Sequence, residues 1–432
     1  MKRITAVLLL ICMCAGLCAC GEREEESSEP ENDSITLNVV TSYGGDDGNR
    51  KNFEAAVRKY EAVTGNTVND DSANSNEDWK AKVLTDFMTG SEPDVLFYFT
   101  NADADPLINA GRVVSIEEIR QVYPDYATNM KESMMAAADD GQHYAVPAYG
   151  YWENMFVNKR VLAECGVDIP GPDYTWGQFL ADCDKIKDAG YTPVACSMFE
   201  VPHYWFEFML LNNGSLENHL ELPELNGNGR LAGGPVSDKW VAALEDMKYL
   251  YDCGYFPSNC LTAMDSETVD LFAQGKAAFL IDGSWKVGYF TEKYPDRLDD
   301  FAVSYVPGRG DRLASEAIGG ISMGYFISRK AWDDPAKREA AVKFVFHMTS
   351  EEVLSRFVTT EVTALVNGAR PTGLNTLQQS AADVNNNISG VVGAVQDTMT
   401  REAKQSLFGN IQNQLRGNMD AEAVVEAAMR AN

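Results

Sequence analysis

Apolar and polar positions alternate in ITLNVV (35–40), the period-2 pattern of a half-buried strand, and a turn-rich loop, TSYGGDDGN, follows. The next stretch, NRKNFEAAVRKYEAVTG, carries Phe53, Val57, Tyr60 and Val63 at helical spacing and stops at Gly65. EDWKAKVLTDFMTG repeats the helical pattern through Trp79, Val83, Leu84 and Phe87. PDVLFYF (93–99) is continuously apolar, as expected of a strand buried on both faces. Strand, helix, helix, strand at this spacing predicts an α/β fold with parallel crossovers.

The same grammar returns downstream. DYTWGQFLADCDKIKDAG opens with Thr175 and has Gln178 three residues on, a capping box, and Gly190 stops the helix. TPVACS reads as a strand. SETVDLFAQG is a helix ending at Gly275, followed by the strand KAAFLI and the turn DGSW. DDPAKREAAVKFVFHM starts with Asp334 as N-cap and Pro335 at the first helical position. The tail, from about Gln378 to Asn432, is Ala-, Gln- and Asn-rich and reads as mostly helical.

At 432 residues the chain is long for a single core, so two lobes are expected. A net charge of −28 argues against nucleic acid or an anionic membrane surface as the main partner. The N-terminus reads as a targeting segment. Lys2 and Arg3 precede an apolar run, Ile4 to Leu17, too short to span a bilayer. Leu17-Cys18-Ala19-Cys20 resembles the bacterial lipobox, with Cys20 as the lipidated residue and 1–19 as the lipoprotein signal peptide. Residues 21–33, GEREEESSEPEND, have no apolar side chain to bury and read as a disordered acidic tether reaching roughly 40 Å at ~3.3 Å per residue. Beyond Cys20 the cysteines are Cys165, Cys183, Cys196, Cys253 and Cys260, without a Cys-x-x-Cys, and the four histidines are scattered. No metal or other cofactor is expected. Cys253 and Cys260 are close enough in sequence to be a candidate disulfide.

Catalytic signatures are absent: there is no Gly-x-Ser-x-Gly, no phosphate-binding loop and no His-Glu-x-x-His. What remains is aromatics after strands: Tyr43; Tyr149, Tyr151 and Trp152; His203, Tyr204 and Trp205; and Trp285. Ligands of open α/β sheets bind outside the carboxyl ends of strands. Aromatic faces stack on sugar C–H groups, and carboxylates accept from sugar hydroxyls. A secreted glycosidase using Glu153 or Glu200 with Asp282 is one alternative. A cation such as a polyamine, drawn by the acidic loops, is another.

With these pieces in place, the chain resembles the extracellular solute-binding proteins of sugar-importing ABC transporters, the maltose-binding-protein-like group. The resemblance is carried by an ordered set: ITLNVVTSYGG with its helix; WKAKVLTDFMTGSEPDVLFY; GQHYAVPAYGYWENMFVNKRVLAECG with TWGQFLADCDKIKDAGYTPV; LFAQGKAAFLIDGSW; and FAVSYVPG with GGISMGYFISRKAWDDPAKREAAVKFVFHMTSEE. It covers most of residues 34–360. It implies two α/β lobes closing on a ligand, with crossings at Pro147–Gly150, near Gly319–Gly324 and near Val366–Pro371. The N-terminal lobe would combine 34–148 with 322–366, and the C-terminal lobe 149–321 with 367–432. It further implies a monomer that takes a carbohydrate ligand, docks on ABC permease subunits and meets the membrane only through its lipid anchor. Site residues carried over by position are Tyr43, beside Gly44 and Gly45; Asn101 and Asp103; Tyr151, Trp152 and Glu153; the loop His203, Tyr204, Trp205; Asp282; Trp285; and Gly320, where backbone would approach the ligand. The family's C-terminal aromatic pair has no counterpart in ISGVVGAVQDTMTREAKQ.

Overall fold

The computed structural model describes residues 34–45, 47–357, 363–368 and 373–432. The signal peptide, Cys20 and the tether lie outside the described residues, as does the 369–371 part of the third expected crossing.

The strands, in chain order, are β1 (Thr36–Val40), β2 (Thr67–Asp70), β3 (Val95–Phe99), β4 (Val146–Pro147), β5 (Tyr151–Asn158), β6 (Thr192–Ala195), β7 (Ala277–Gly283), β8 (Phe301–Ser304), β9 (Glu316–Gly320), β10 (Met323–Ile327) and β11 (Gly390–Val392). They form two sheets. The first has the order β2-β1-β3-β10-β4, and the second β11-β9-β5-β7-β6 with β8 also on β5. β1 pairs in parallel with both β2 and β3, and the crossovers are the helices Arg50–Thr64 and Glu77–Thr89. Both helices end on glycines in the left-handed region, Gly65 at φ 74° and Gly90 at φ 78°. β2 was not foreseen from NTVNDD: it is a half-exposed edge strand of polar residues, so it lacks the apolar run that marks β3.

The chain leaves the first sheet after Pro147 and enters the second at Tyr151, and it returns between Gly320 and Met323. Each sheet carries its own core. One buried cluster runs through Leu37, Phe53, Tyr60, Phe97, Tyr325 and Phe344. The other runs through Phe156, Phe179, Trp205, Trp240, Phe279 and Phe290. This is the expected two-lobe α/β architecture. Ala364 and Leu365 pack in the first core, and Leu377 in the second.

Local readings of the sequence differ from the structure in three places. The DGSW segment is not a plain turn: Asp282 and Gly283 end β7, and Trp285 begins the helix Trp285–Lys293. The 203–205 segment is not a loop but the first turn of the helix His203–Asn212. Cys253 and Cys260 are free thiols, as are Cys165, Cys183 and Cys196. Burial, then the neighbouring Cys260, pushes the Cys196 thiol up, and burial, then the carboxylates of Asp182 and Asp184, pushes Cys183 up. Cys260 is fully buried and its carbonyl accepts from the Met198 N–H, whereas Cys253 is the half-buried C-cap of the helix Pro235–Asp252.

Candidate functional site

Strand alternation assigns the residues after the first crossing to two faces. On β5, Tyr151 pairs with Gly320, Glu153 with Gly283 and Ile318, and Asn154 with Asp282. Tyr151, Glu153 and Gly283 therefore share one face, and Trp152, Asn154 and Asp282 share the other. The first face is covered by the helix His203–Asn212, whose Trp205 packs on Phe179, itself against Phe279. The second is covered by the helix Trp285–Lys293, with Phe156 against Phe290.

Three aromatics gather on the first face. The Trp285 ring lies 6.3 Å from Tyr151 and 6.1 Å from Tyr204, tilted by 38° and 40°. Trp285 is 36% exposed, the most open of the three. Its ring folds back over Gly283, and a β-carbon at that position would overlap it. Gly320 is less constrained: a β-carbon there would meet Tyr151 Cε1 at 3.7 Å, an ordinary van der Waals contact. His203 lies against Tyr204, at 4.3 Å, and Phe408, at 5.3 Å, with the rings tilted by 57° and 36°. Burial, with Lys80 and Lys404 nearby, drops the His203 pKa to about 3, so its ring is neutral.

Beneath the aromatics sit carboxylates. Glu153 is 2% exposed, and its Oε2 has no hydrogen-bond partner. Burial, then the charges of Glu207, Asp282 and Asp397, push its pKa well above the ordinary value. Glu207 is fully buried and satisfied: it accepts from the backbone N–H of Val395 and Gln396 and meets His219 Nε2 at 2.8 Å. Asp282, on the opposite face, accepts from the Gly283 N–H at 2.7 Å and lies 3.5 Å from Lys286 Nζ. Burial raises it to about 7 against the pull of Lys286. Lys286 is itself held by Asp265 at 2.8 Å.

The two lobes meet on both sides of this cluster. On one side Asn101 Nδ2 donates to Asp397 Oδ1 at 2.7 Å, and Asp103 pairs with Lys404 at 3.3 Å and Lys80 at 3.1 Å. Burial works against the Asp103 carboxylate, but the two lysines outweigh it and hold its pKa below the ordinary value. On the other side Gly48 packs on the helix backbone at Gly288, and Lys51 pairs with Glu292 at 2.7 Å.

Several expected contacts move out of the site. Trp152 is 2% exposed and stacks on Phe156 at 6.1 Å, because the period of two turns it away from Tyr151 and Glu153. Trp205 is a core residue for the analogous helical reason: it points at Phe179 and Phe256 while Tyr204 faces Trp285. Tyr43 is buried against Phe97 at 4.9 Å, and its hydroxyl lies 3.0 Å from that of Tyr149. Gly44 is packed against the backbone of Ala73 rather than free. Asn101 and Asp103 sit where the lobes touch. Glu207, Asp397, Lys404 and Phe408 were not anticipated. Phe408 lies in the helix Arg401–Leu415, just beyond ISGVVGAVQDTMTREAKQ, so the tail does bring a ring to this site.

Among the described residues, no group of three or more His, Cys, Asp or Glu is placed to hold a metal ion. Among curated proteins, none matches the chain by sequence. Solved structures match closely in fold. A chitin oligosaccharide binding protein superposes with a TM-score of 0.78 at 21% identity, covering 92% of this chain and 98% of that one. The bacterial solute receptor AcbH, described as having an exclusive preference for β-D-galactopyranose, gives 0.75 at 15%, with 92% and 98% covered. The maltose/maltodextrin-binding domain MalE from Bdellovibrio bacteriovorus, bound to maltotriose, gives 0.68 at 19%, with 92% and 98% covered. The sequence model of the bacterial extracellular solute-binding proteins matches residues 55–374, and the chain belongs to that family.

Proposed function

We propose that this protein captures a carbohydrate between its lobes and passes it to the permease of an ABC importer, performing no chemistry on it. The observation that carries this is the Tyr151–Trp285–Tyr204 cluster standing over the buried, unpartnered Glu153 Oε2, between two lines of lobe–lobe contact. Aromatic faces take the C–H face of a sugar, and a buried acceptor without a donor takes a hydroxyl. The carbohydrate-binding proteins of the same fold support the reading.

The proposed lobes are 34–148 with 322–366 and 149–321 with 367–432, hinged at the two sheet changes. Ligand affinity then biases the closed state. The proposed ligand wall is Tyr151, Glu153, Tyr204, Trp285 and Gly320, with His203, Asn101 and Asp103 at its margin. Cys20 in Leu17-Cys18-Ala19-Cys20 supports lipid anchoring on the outer face of the membrane, with residues 21–33 as the leash. Glu153 and Asp282 lie on opposite faces of neighbouring strands, and Asp282 is tied to Lys286, an arrangement that favours binding over a glycosidase pair flanking one bond.

A thermal-shift panel of mono- and oligosaccharides tests the proposal. A ligand at 100 times its Kd stabilises by about 2.7 kcal/mol. Failure of every sugar to shift the melting temperature would refute it, as would turnover of a chromogenic glycoside.

A further inference from the structure

The turn that reaches from the second lobe to Asn101 cannot cap itself. Val395–Thr398 is a helix of a single turn, and the residue before it, Ala394, has no side-chain acceptor for the first N–H groups. Ala394 and Val395 are both buried in the second core, so water is kept from the first of those donors. A carboxylate from another helix takes the place of the cap. Glu207 Oε2 accepts from the Val395 N–H at 2.9 Å, and its Oε1 accepts from the Gln396 N–H at 3.1 Å. His219 Nε2 holds Oε2 at 2.8 Å, and both side chains are fully buried. Hydrogen bonds from backbone N–H to a carboxylate are among the stronger ties in a protein.

The place of these bonds in the chain gives them a consequence beyond packing. Asp397 is the next residue of the turn, and its Oδ1 accepts from Asn101 Nδ2 of the other lobe at 2.7 Å. At the other end of the bracket, Glu207 lies three residues after Tyr204 in the helix His203–Asn212, on the same face one turn further on. One side chain therefore ties the turn that bears Asp397 to the helix that bears an aromatic of the ligand wall. With three donors already on it, Glu207 is not placed to meet a ligand. The pairing of β11 with β9 and the core side chain of Val395 anchor the tail independently. Loss of the Glu207 bonds would thus loosen the aim of the turn rather than detach the tail.

We infer that Glu207 is a positioning residue for ligand capture. It acts through Asp397, holding that carboxylate where Asn101 meets it when the lobes close. The inference rests on the carbohydrate reading and adds to it a residue outside the ligand wall.

Calorimetric titration of di-N-acetylchitobiose, galactose and maltotriose into the wild type selects the tightest of the three as the probe. A double-mutant cycle with that sugar then tests the inference. E207Q and D397A should each raise its Kd at least fivefold, and the double variant should bind no more than twofold worse than the weaker single. Effects that multiply would overturn the inference while leaving the carbohydrate reading in place. So would wild-type affinity in D397A, or an E207Q protein with only a lowered melting temperature. Binding of none of the three sugars by the wild type would overturn the inference together with the reading beneath it. Should E207Q not fold, hydrogen exchange of the ligand-free wild type decides. The Val395 and Gln396 amides should exchange at least a hundredfold more slowly than an unstructured chain, and exchange at the unstructured rate would overturn the inference.

Discussion

The indole of Trp285 rests on Gly283, two residues before it, and no side chain larger than hydrogen fits beneath the ring. The glycine is therefore part of the site although it has no side chain of its own to offer a ligand. Gly283→Ala should push the ring out of its place beside Tyr151 and Tyr204 and weaken ligand binding at least tenfold. Calorimetry on the mutant, with the near-ultraviolet circular dichroism of the tryptophans as a structural check, measures it. Unchanged affinity would mean that the ring position is irrelevant to binding.

Trp152 and Trp285 separate packing from binding. Trp285→Ala removes a partly exposed ring and should raise the Kd at least tenfold with little loss of stability. Trp152→Ala empties a core position against Phe156 and should cost about 3–5 kcal/mol of unfolding free energy. Urea denaturation and ligand titration of both mutants give the four numbers. A destabilised Trp285→Ala with intact binding would reverse the assignment.

Closure depends on a backbone-to-backbone approach. A β-carbon at Gly48 would stand 2.5 Å from the Tyr289 amide nitrogen on the opposite lobe. Gly48→Val should hold the lobes apart, leaving each folded. Small-angle scattering should show a loss of ligand-induced compaction, and affinity should fall at least tenfold. The neighbouring Lys51–Glu292 pair is largely exposed, and Lys51→Ala should change affinity less than threefold.

The buried carboxyls set a pH dependence. Burial raises Asp397 to about 6 and Asp282 to about 7, both above the ordinary 3.8. Between the unfolded and folded values the native state binds more protons than the unfolded chain. Stability therefore falls as pH rises through that window, from about 4 to about 7. Asp103 is shifted the other way, and its contribution is present above its unfolded value and lost in stronger acid. The urea midpoint of the ligand-free protein should decline between pH 5 and pH 7.5, and Asp397→Asn should flatten the part of the decline below pH 6. A midpoint that rises over this range would contradict the burial of these groups as acids.

Much of the fold was legible in the chain. The helix from Arg50 and its glycine stop, the capping box at Thr175 and Gln178, and the Asp334–Pro335 start all follow from local rules, and all form where the pattern places them. Local backbone preference is enough to decide them. The order of these segments is also enough to reveal the family resemblance, which the matched span from 55 to 374 bears out. Less was legible where a segment is short, polar and at an edge, as with β2 and β11, because nothing in such a stretch distinguishes it from loop.

The sequence by itself determined which aromatics and carboxylates stand near the strand ends, including the run Tyr151-Trp152-Glu153 and the Trp285 turn. Only the tertiary structure decided which of them share a face. Pairing of β5 with β7 and β9 puts Tyr151 and Glu153 on the side of Trp285 and sends Trp152 into the core, a distinction made by register across strands far apart in sequence. The same holds for Asp397, Lys404 and Phe408. They lie more than 240 residues from Tyr151, and only the packing of the C-terminal helices on the second lobe brings them to the cleft.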